Sequence, residues 1–93
     1  MINRDLTAEE VAADHESLQR NIELTAEHWT TVLGRPVSIE FARRQRRSAT
    51  GYVVTEDYYD GPDEYRLEVR VEGFTALVYS LLDAEKYLER VWG

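Results

Sequence analysis

The pattern that most constrains the fold is a long helical one, which occupies the first third of the chain. A capping box over Thr7–Glu10 marks the helix start: the Thr7 hydroxyl can accept from the backbone N–H of Glu10, whose side chain reaches back. Leu6 and Val11 stand at the two positions of a hydrophobic staple. Residues of one helical face then recur in alternating steps of four and three: Val11, His15, Leu18, Ile22, Thr25, Trp29 and Val32.

The end of this helix is also marked. Gly34 can take the left-handed conformation that closes a helix, and Pro36 prevents the helix from continuing. The pattern predicts one helix over residues 8–33, about 39 Å long at 1.5 Å per residue. A bend stays open as an alternative, because residues 24–27 repeat the sequence of residues 6–9, so that Thr25 could cap a second helix. The unbroken apolar face favours a single helix.

After Pro36 the hydrophobic period changes to two. Residues 37–43 alternate apolar and polar side chains, which predicts a strand with one buried face. Residues 52–56 are rich in β-branched and aromatic side chains and predict a second strand. Residues 65–72 alternate most clearly and predict a third. The outward positions of this third strand alternate in charge, which indicates a sheet covered on one side only: Arg66, Glu68, Arg70 and Glu72.

Residues 74–92 allow two interpretations. Their apolar positions fit one long amphipathic helix. Alternatively, Glu72 and Gly73 form a two-residue hairpin turn, residues 74–79 form a fourth strand, and Ser80 caps a helix over 81–92. We favour the fourth strand because Gly73 accepts a positive φ and Ser80 stands three residues before Asp83, as in a capping box.

These elements predict a single α+β domain over residues 1–93, with a long N-terminal helix, an antiparallel meander and a C-terminal helix. The element order is α-β-β-β-β-α, or α-β-β-β-α if the fourth strand is absent. The second order is that of double-stranded-RNA-binding domains. The last helix, however, carries Asp83, Glu85 and Glu89 where an RNA binder needs basic residues, so this order does not predict RNA binding.

Composition excludes several function classes. Cysteine is absent, which removes disulfides, thiolate metal sites and thiol nucleophiles. No uncharged apolar run approaches the ~20 residues of a membrane span, and no signal peptide is visible, so we expect a cytoplasmic protein without a membrane partner. His15 and His28 do not have the spacing of a helical zinc site. We expect no metal site, no other cofactor and no enzymatic activity.

The net charge of −7 is distributed unevenly. Residues 1–34 carry seven acids and two arginines (−5), and residues 51–93 carry ten acids and four bases (−6). Residues 35–50 carry five arginines and one glutamate (+4). Four of these arginines form a basic tip, where planar guanidinium groups could bind phosphates or carboxylates: Arg43, Arg44, Arg46 and Arg47.

Residues 56–64 form an acidic loop between the second and third predicted strands. In a meander, this loop and the basic tip lie at opposite ends of the sheet, which predicts an electrically bipolar protein. Tyrosines beside carboxylates suit a protein interface, since acids can imitate phosphates toward a basic partner. The predicted partner-binding residues are Asp57, Tyr58, Tyr59, Asp60, Asp63 and Glu64.

The sequence therefore predicts a small, acidic, non-enzymatic interaction module. Its partner would be a larger protein with a basic, nucleic-acid-binding surface, which the module inhibits or chaperones. In size and composition the chain resembles the small acidic inhibitors that phages and mobile elements use against host nucleic-acid enzymes, including anti-CRISPR proteins. This resemblance is one of class and implies a phage protein of the inhibitor kind.

Two alternatives stay open for the binding surface. The chain could bind anions or nucleic acid through the Arg43–Arg47 tip, although its net charge argues against direct nucleic-acid binding. An acidic interface could instead lie on the exposed face of the first helix, around Glu9, Glu16, Glu23 and Glu27. The sequence is also compatible with a homodimer.

Overall fold

The computed structural model describes residues 7–93 and begins with helix α1, Ala8–Leu33. Thr7 is the N-cap: its side chain accepts from the Glu10 N–H (3.1 Å), and the Glu10 carboxylate accepts from the Thr7 N–H. Gly34 closes the helix at φ 68°. The prediction of one continuous helix is confirmed, while the staple residue Leu6 lies outside the described residues.

Seven strands and a second helix follow α1. The strands are β1 (Val37–Phe41), β2 (Arg43–Arg47), β3 (Val53–Asp57), β4 (Tyr59–Gly61), β5 (Glu64–Tyr65), β6 (Leu67–Val71) and β7 (Phe74–Val78). Helix α2 covers Leu81–Tyr87 and continues as a π-helical turn over Leu88–Trp92. The predicted fold class is therefore confirmed: an N-terminal helix, antiparallel strands and a C-terminal helix in a small α+β domain.

The strands are arranged as three antiparallel sheets that meet at one point. β1, β6 and β7 form a three-stranded sheet, while β2 pairs with β3 and β4 pairs with β5. We call β2–β3 with its turn the arginine hairpin (residues 43–57) and β4–β5 the short hairpin (residues 59–65). Where the chain passes from one sheet to the next, it therefore changes the strand with which it pairs.

Three backbone hydrogen bonds close this meeting point into a ring, which we call the three-way junction. The Ala42 N–H donates to the Arg66 carbonyl (2.9 Å), and the Arg66 N–H donates to the Tyr58 carbonyl (3.1 Å). The Tyr58 N–H donates in turn to the Ala42 carbonyl (2.7 Å). The partner changes therefore leave none of these three N–H groups unpaired, as buried backbone requires.

The order of the strands differs from the simple meander expected from the sequence. β1 pairs with β6, opposing Val37 to Val71 and Phe41 to Leu67, and does not pair with the next strand along the chain. Both strands bury alternate apolar residues, whereas β2 and β3 contain no buried residue. The two strands with matching apolar faces therefore pair over the core, and the arginine-rich segment between them projects as a hairpin.

The core lies between this three-stranded sheet and the two helices. Leu67, Val69 and Leu88 are completely buried, and Ile22 from α1 is 2% exposed. Burying a side chain of this kind contributes roughly 1.5–3 kcal/mol. Val32, expected at the end of the helical stripe, is exposed, and Leu33 packs against the core instead.

The segment that the sequence left ambiguous is a fourth major strand followed by a helix. Glu72 and Gly73 both have positive φ (48° and 85°), as a two-residue hairpin turn requires, and β7 returns along β6. The Ser80 hydroxyl accepts from the Asp83 N–H (3.0 Å) and caps α2. Neither helix within residues 7–93 has the length and hydropathy needed to cross a membrane.

Candidate interaction site

The basic tip and the acidic loop lie against each other. In the arginine hairpin, Arg43 stands opposite Asp57 and Arg44 stands opposite Glu56. Arg43 and Asp57 are joined by an ion pair and a hydrogen bond. The expectation that the two charged segments occupy opposite poles is therefore wrong, because residues 53–57 extend back along the arginine strand.

Asp60 brings the short hairpin into the same network. Arg44 donates to it through both terminal nitrogens, one of them at 2.7 Å, in a bidentate arrangement. This hydrogen bond raises the pKa of Arg44, and burial opposes the rise. The same bond lowers the pKa of Asp60 against an opposing effect of burial. Arg46 Nε lies 2.8 Å from Glu56 Oε1, so three arginines of the tip are paired with three carboxylates.

Tyr58 lies within a column of alternating guanidinium groups and aromatic rings. The Arg44 guanidinium carbon is 4.6 Å from the centroid of the Tyr58 ring, and that of Arg66 is 4.9 Å from it. Arg66 also stacks on Tyr79 at 4.5 Å. Such contacts contribute about 0.5–2 kcal/mol each. The column links the arginine hairpin to the three-stranded sheet across the three-way junction.

Tyr59 faces the opposite side, toward α1. Its hydroxyl donates a hydrogen bond to Asp14, and its ring lies 4.7 Å from that of His15. Burial raises the pKa of Tyr59, and the hydrogen bond to Asp14 adds to the rise. His15 stacks on Phe41 at 4.8 Å, while its Nε2 lies 3.1 Å from Asp57 Oδ2. Tyr59 and His15 therefore fix the hairpins to the helix.

These contacts divide the predicted partner-binding residues into two groups. Asp57, Tyr58, Tyr59 and Asp60 are held by contacts inside the molecule. Asp63 is exposed near the end of the short hairpin, and Glu64 is exposed with its carboxylate 3.8 Å from Arg66. Asp63 and Glu64 thus remain accessible to a partner, while the other four shape the scaffold.

The basic tip is divided in the same way. Arg47, the last of its four arginines, donates to the Gly51 carbonyl (3.5 Å) and makes no ion pair within residues 7–93. Beside it the end of the arginine hairpin exposes Tyr52 (74%) and Val53 (56%). This end carries apolar surface and one unpaired positive charge.

A groove of about 500 Å³ opens between the start of α1 and the root of the arginine hairpin. Its polar lining groups include His15, Asp57 and Tyr59, which are already hydrogen-bonded within the protein. No serine, threonine or cysteine from residues 7–93 lines it, and the hydroxyl in the lining belongs to Tyr59. Within the same range no three histidine, aspartate or glutamate side chains are grouped as metal ligands.

The exposed side of α1 carries a set of carboxylates that differ from those of the hairpins. Four glutamates recur seven, seven and four residues apart, which places them on one narrow face of a straight helix. We call this the acidic helix face: Glu9, Glu16, Glu23 and Glu27. All four are exposed, and none makes an ion pair within the described part of the chain.

Comparisons of the chain with protein-family models, with curated proteins and with solved structures found no match.

Proposed function

We propose that the protein is a non-enzymatic interaction module that binds the basic surface of a larger protein through the acidic helix face. The observation that carries this proposal is the difference in pairing between the two sets of carboxylates. Glu56, Asp57 and Asp60 of the hairpins are neutralised by arginines, whereas the glutamates of the acidic helix face are exposed and make no ion pair inside the described residues.

Charge supports this choice of surface. Three arginines and three carboxylates cancel within the hairpins, so the net charge of −7 belongs to the rest of the chain. The acidic helix face contributes four negative charges along about 27 Å of helix, and Arg20, between Glu16 and Glu23, leaves it with a net negative charge. Unpaired surface charges of one sign accelerate association with a surface of the opposite sign, at low salt above all.

The partner class follows from the same chemistry. A surface that binds nucleic acid presents lysines and arginines spaced for a row of phosphates. A rigid helix carrying a row of carboxylates can occupy such a surface and exclude the nucleic acid. The module would thereby inhibit or chaperone a nucleic-acid-binding protein, in the cytoplasm and in the manner of the small phage inhibitors that it resembles in size and acidity.

The alternative function, anion or nucleic-acid binding through Arg43–Arg47, has less support. Carboxylates already occupy Arg43, Arg44 and Arg46, and a phosphate would have to displace them. Arg47 alone supplies little of the charge neutralisation on which nucleic-acid binding depends.

The experiment is affinity capture with the purified chain, followed by competition with a duplex DNA and a single-stranded RNA. We expect capture of a basic protein that high salt and the nucleic acids both release. Glu16→Lys with Glu23→Lys should abolish capture. The matched control, Glu85→Lys on α2 with Glu89→Lys in the π-helical turn that follows, changes the net charge equally and should capture normally.

Two results would contradict the proposal. One is equal capture by the two double variants, which would show that overall charge and not the helix face decides binding. The other is a captured protein that binds the module and nucleic acid simultaneously, because the acidic helix face would then not occupy the nucleic-acid site.

A further inference from the structure

β7 is an edge strand without the features that usually protect an edge. The segment from Gly73 to Leu82 contains no charged residue and no proline. Four of its large side chains are more than half exposed: Phe74 (64%), Leu77 (54%), Tyr79 (57%) and Leu82 (60%). Proteins normally cover an edge strand or place lysine, proline or a bulge on it, because its free N–H and C=O groups can pair with another strand.

The opposite edge of the sheet is better protected. β1 follows Pro36, and α1 packs along it. The Thr30 hydroxyl accepts from the Val37 N–H (3.0 Å), so a helix side chain satisfies the donor that begins this edge. The two edge strands of this sheet therefore differ. Of the two, only β7 has no charged residue and no element packed along its free edge among residues 7–93.

The geometry of the β6–β7 hairpin determines which backbone N–H and C=O groups of β7 point away from β6 and can pair with another strand. Val71 and Phe74 flank a two-residue turn and form the closing hydrogen-bonded pair. Antiparallel pairs alternate, so the N–H and C=O of Thr75 and Leu77 point away from β6. No backbone hydrogen bond outside the ladder reaches either residue within the described range.

From these observations we propose that β7 pairs with β7 of a second copy of this chain, antiparallel, about a two-fold axis at Ala76. Thr75 of one copy then stands opposite Leu77 of the other, and their outward N–H and C=O groups bond reciprocally. On the helix side Phe74 stands opposite Val78, and the small Ala76 meets itself at the axis. The two three-stranded sheets become one continuous sheet.

Helix α2 makes this arrangement self-complementary in charge as well. α2 begins beside the end of β7, and Trp92 returns to Phe74 with ring centroids 5.8 Å apart, so the helix runs antiparallel to the strand. A groove of about 320 Å³ separates the two elements, and Asp83 and Arg90 lie toward its opposite ends. The two-fold axis that reverses β7 also reverses α2, which brings Asp83 of each copy to Arg90 of the other.

A second copy fits this edge better than a charged peptide does. Lys86 and Arg90 on α2 would favour an acidic segment, but Asp83 lines the same groove and opposes one. An isologous dimer satisfies both signs of charge with one surface. This inference does not depend on the acidic helix face, which belongs to α1.

The test is sedimentation equilibrium of the full chain from micromolar to submillimolar concentration. We expect a monomer–dimer equilibrium. Thr75→Pro removes an outward N–H without breaking the β6–β7 ladder and should weaken association at least tenfold, whereas Thr75→Val keeps the N–H and should associate normally. Far-UV circular dichroism checks that each variant is folded.

A charge-swap cycle supplies an independent criterion. Asp83→Arg alone and Arg90→Asp alone should each weaken the dimer, and the double variant should restore it.

A wild-type chain that stays monomeric at submillimolar concentration would overturn the proposal. So would a Thr75→Pro variant, folded, that associates like the wild type. If Thr75→Pro does not fold, the charge swap decides: the dimer proposal would be overturned if Asp83→Arg with Arg90→Asp failed to regain association. A monomer that binds an acidic extended peptide at β7 would identify the other occupant and also refute the dimer.

Discussion

His15 Nε2 lies 3.1 Å from Asp57 Oδ2, and this contact joins the long helix to the root of the arginine hairpin across 42 positions of sequence. The other oxygen of the same carboxylate pairs with Arg43. Asp57 therefore connects α1, β2 and β3. The acidic residues of this segment therefore help to hold the scaffold together.

Stability should fall in acid through Asp60. Its pKa in the folded state is depressed, mainly by the hydrogen bond from Arg44, below the ordinary value of 3.8. The stability that this carboxylate contributes is thus fully present above pH ~4 and is lost as the pH falls through its folded pKa. Thermal melts from pH 2 to 7 should show a weaker acid dependence in Asp60→Asn. An unchanged pH profile would contradict this role for Asp60.

At the alkaline end Tyr59 should have the opposite effect, because its ionisation lowers stability as the pH rises. Burial and the bond to Asp14 raise the pKa of Tyr59 above its ordinary value of 10.0. Its contribution is therefore present below pH ~10 and is lost at higher pH, where the unfolded chain ionises first. Tyr59→Phe should cost about 1–2 kcal/mol at pH 7 and flatten the alkaline part of the profile, measured by urea unfolding at several pH values. A steeper alkaline loss in the variant would argue against this assignment.

The two faces of α1 should respond differently to truncation. Ile22 is 2% exposed and packs in the core, so Ile22→Ala should reduce the free energy of unfolding by about 2–5 kcal/mol. Leu24 is 62% exposed, and Leu24→Ala should change it by less than about 0.5 kcal/mol. Chemical denaturation of both variants checks the difference. Equal losses would mean that α1 is buried on two sides in solution.

Capping of α2 gives a local test of the strand-to-helix transition. Ser80→Ala removes the acceptor for the Asp83 N–H and should cost about 0.5–2 kcal/mol. Thr31→Ala is the matched control, because the Thr31 hydroxyl donates to the Glu27 carbonyl within a helix, where alanine is the better residue. We expect that variant to be neutral or stabilised in the same thermal melts. A stabilised Ser80→Ala would contradict the N-cap.

Direct nucleic-acid binding is tested by a gel-shift assay at physiological salt. The wild-type chain should not shift duplex DNA or RNA, because the net charge is −7 and three arginines of the basic tip are paired. Asp57→Asn with Asp60→Asn removes the charged partners of Arg43 and of the Arg44 terminal nitrogens, while Glu56 still pairs with Arg46, and this variant should bind better than the wild type. A tight, salt-sensitive complex of the wild-type protein would favour the alternative function.

Local patterns in the sequence predict most elements but not their pairing. The capping box at Thr7, the stop at Gly34 and the Glu72–Gly73 turn each depend on residues close in sequence, and the structure confirms all three. Strand partners are a long-range property. Nothing near Ala42 indicates that the chain leaves one ladder there and enters another.

The error about the poles has a related origin. The charges of the basic tip and the acidic loop are evident from the sequence, but their separation rests on placing residues 44–51 in a connection at one end of a single meander and residues 57–64 in a connection at the other end, whereas residues 43–47 form a strand. In the structure, β2 pairs with β3 along its whole length, which brings Arg44 to Glu56 and Asp60. The cation–aromatic column around Tyr58 forms only after this pairing and left no signal in the sequence.

The three-way junction has a consequence for how this protein can vary. The arginine hairpin is attached to the rest of the backbone ladders through Ala42 and Tyr58, and the backbone hydrogen bonds found at its far end, from Ser48 to Gly51, stay within the hairpin among residues 7–93. Extra residues inserted there lengthen one hairpin and leave the register of the other ladders unchanged. The hairpin end is therefore a natural place to graft a foreign epitope or a reporter peptide without redesigning the domain.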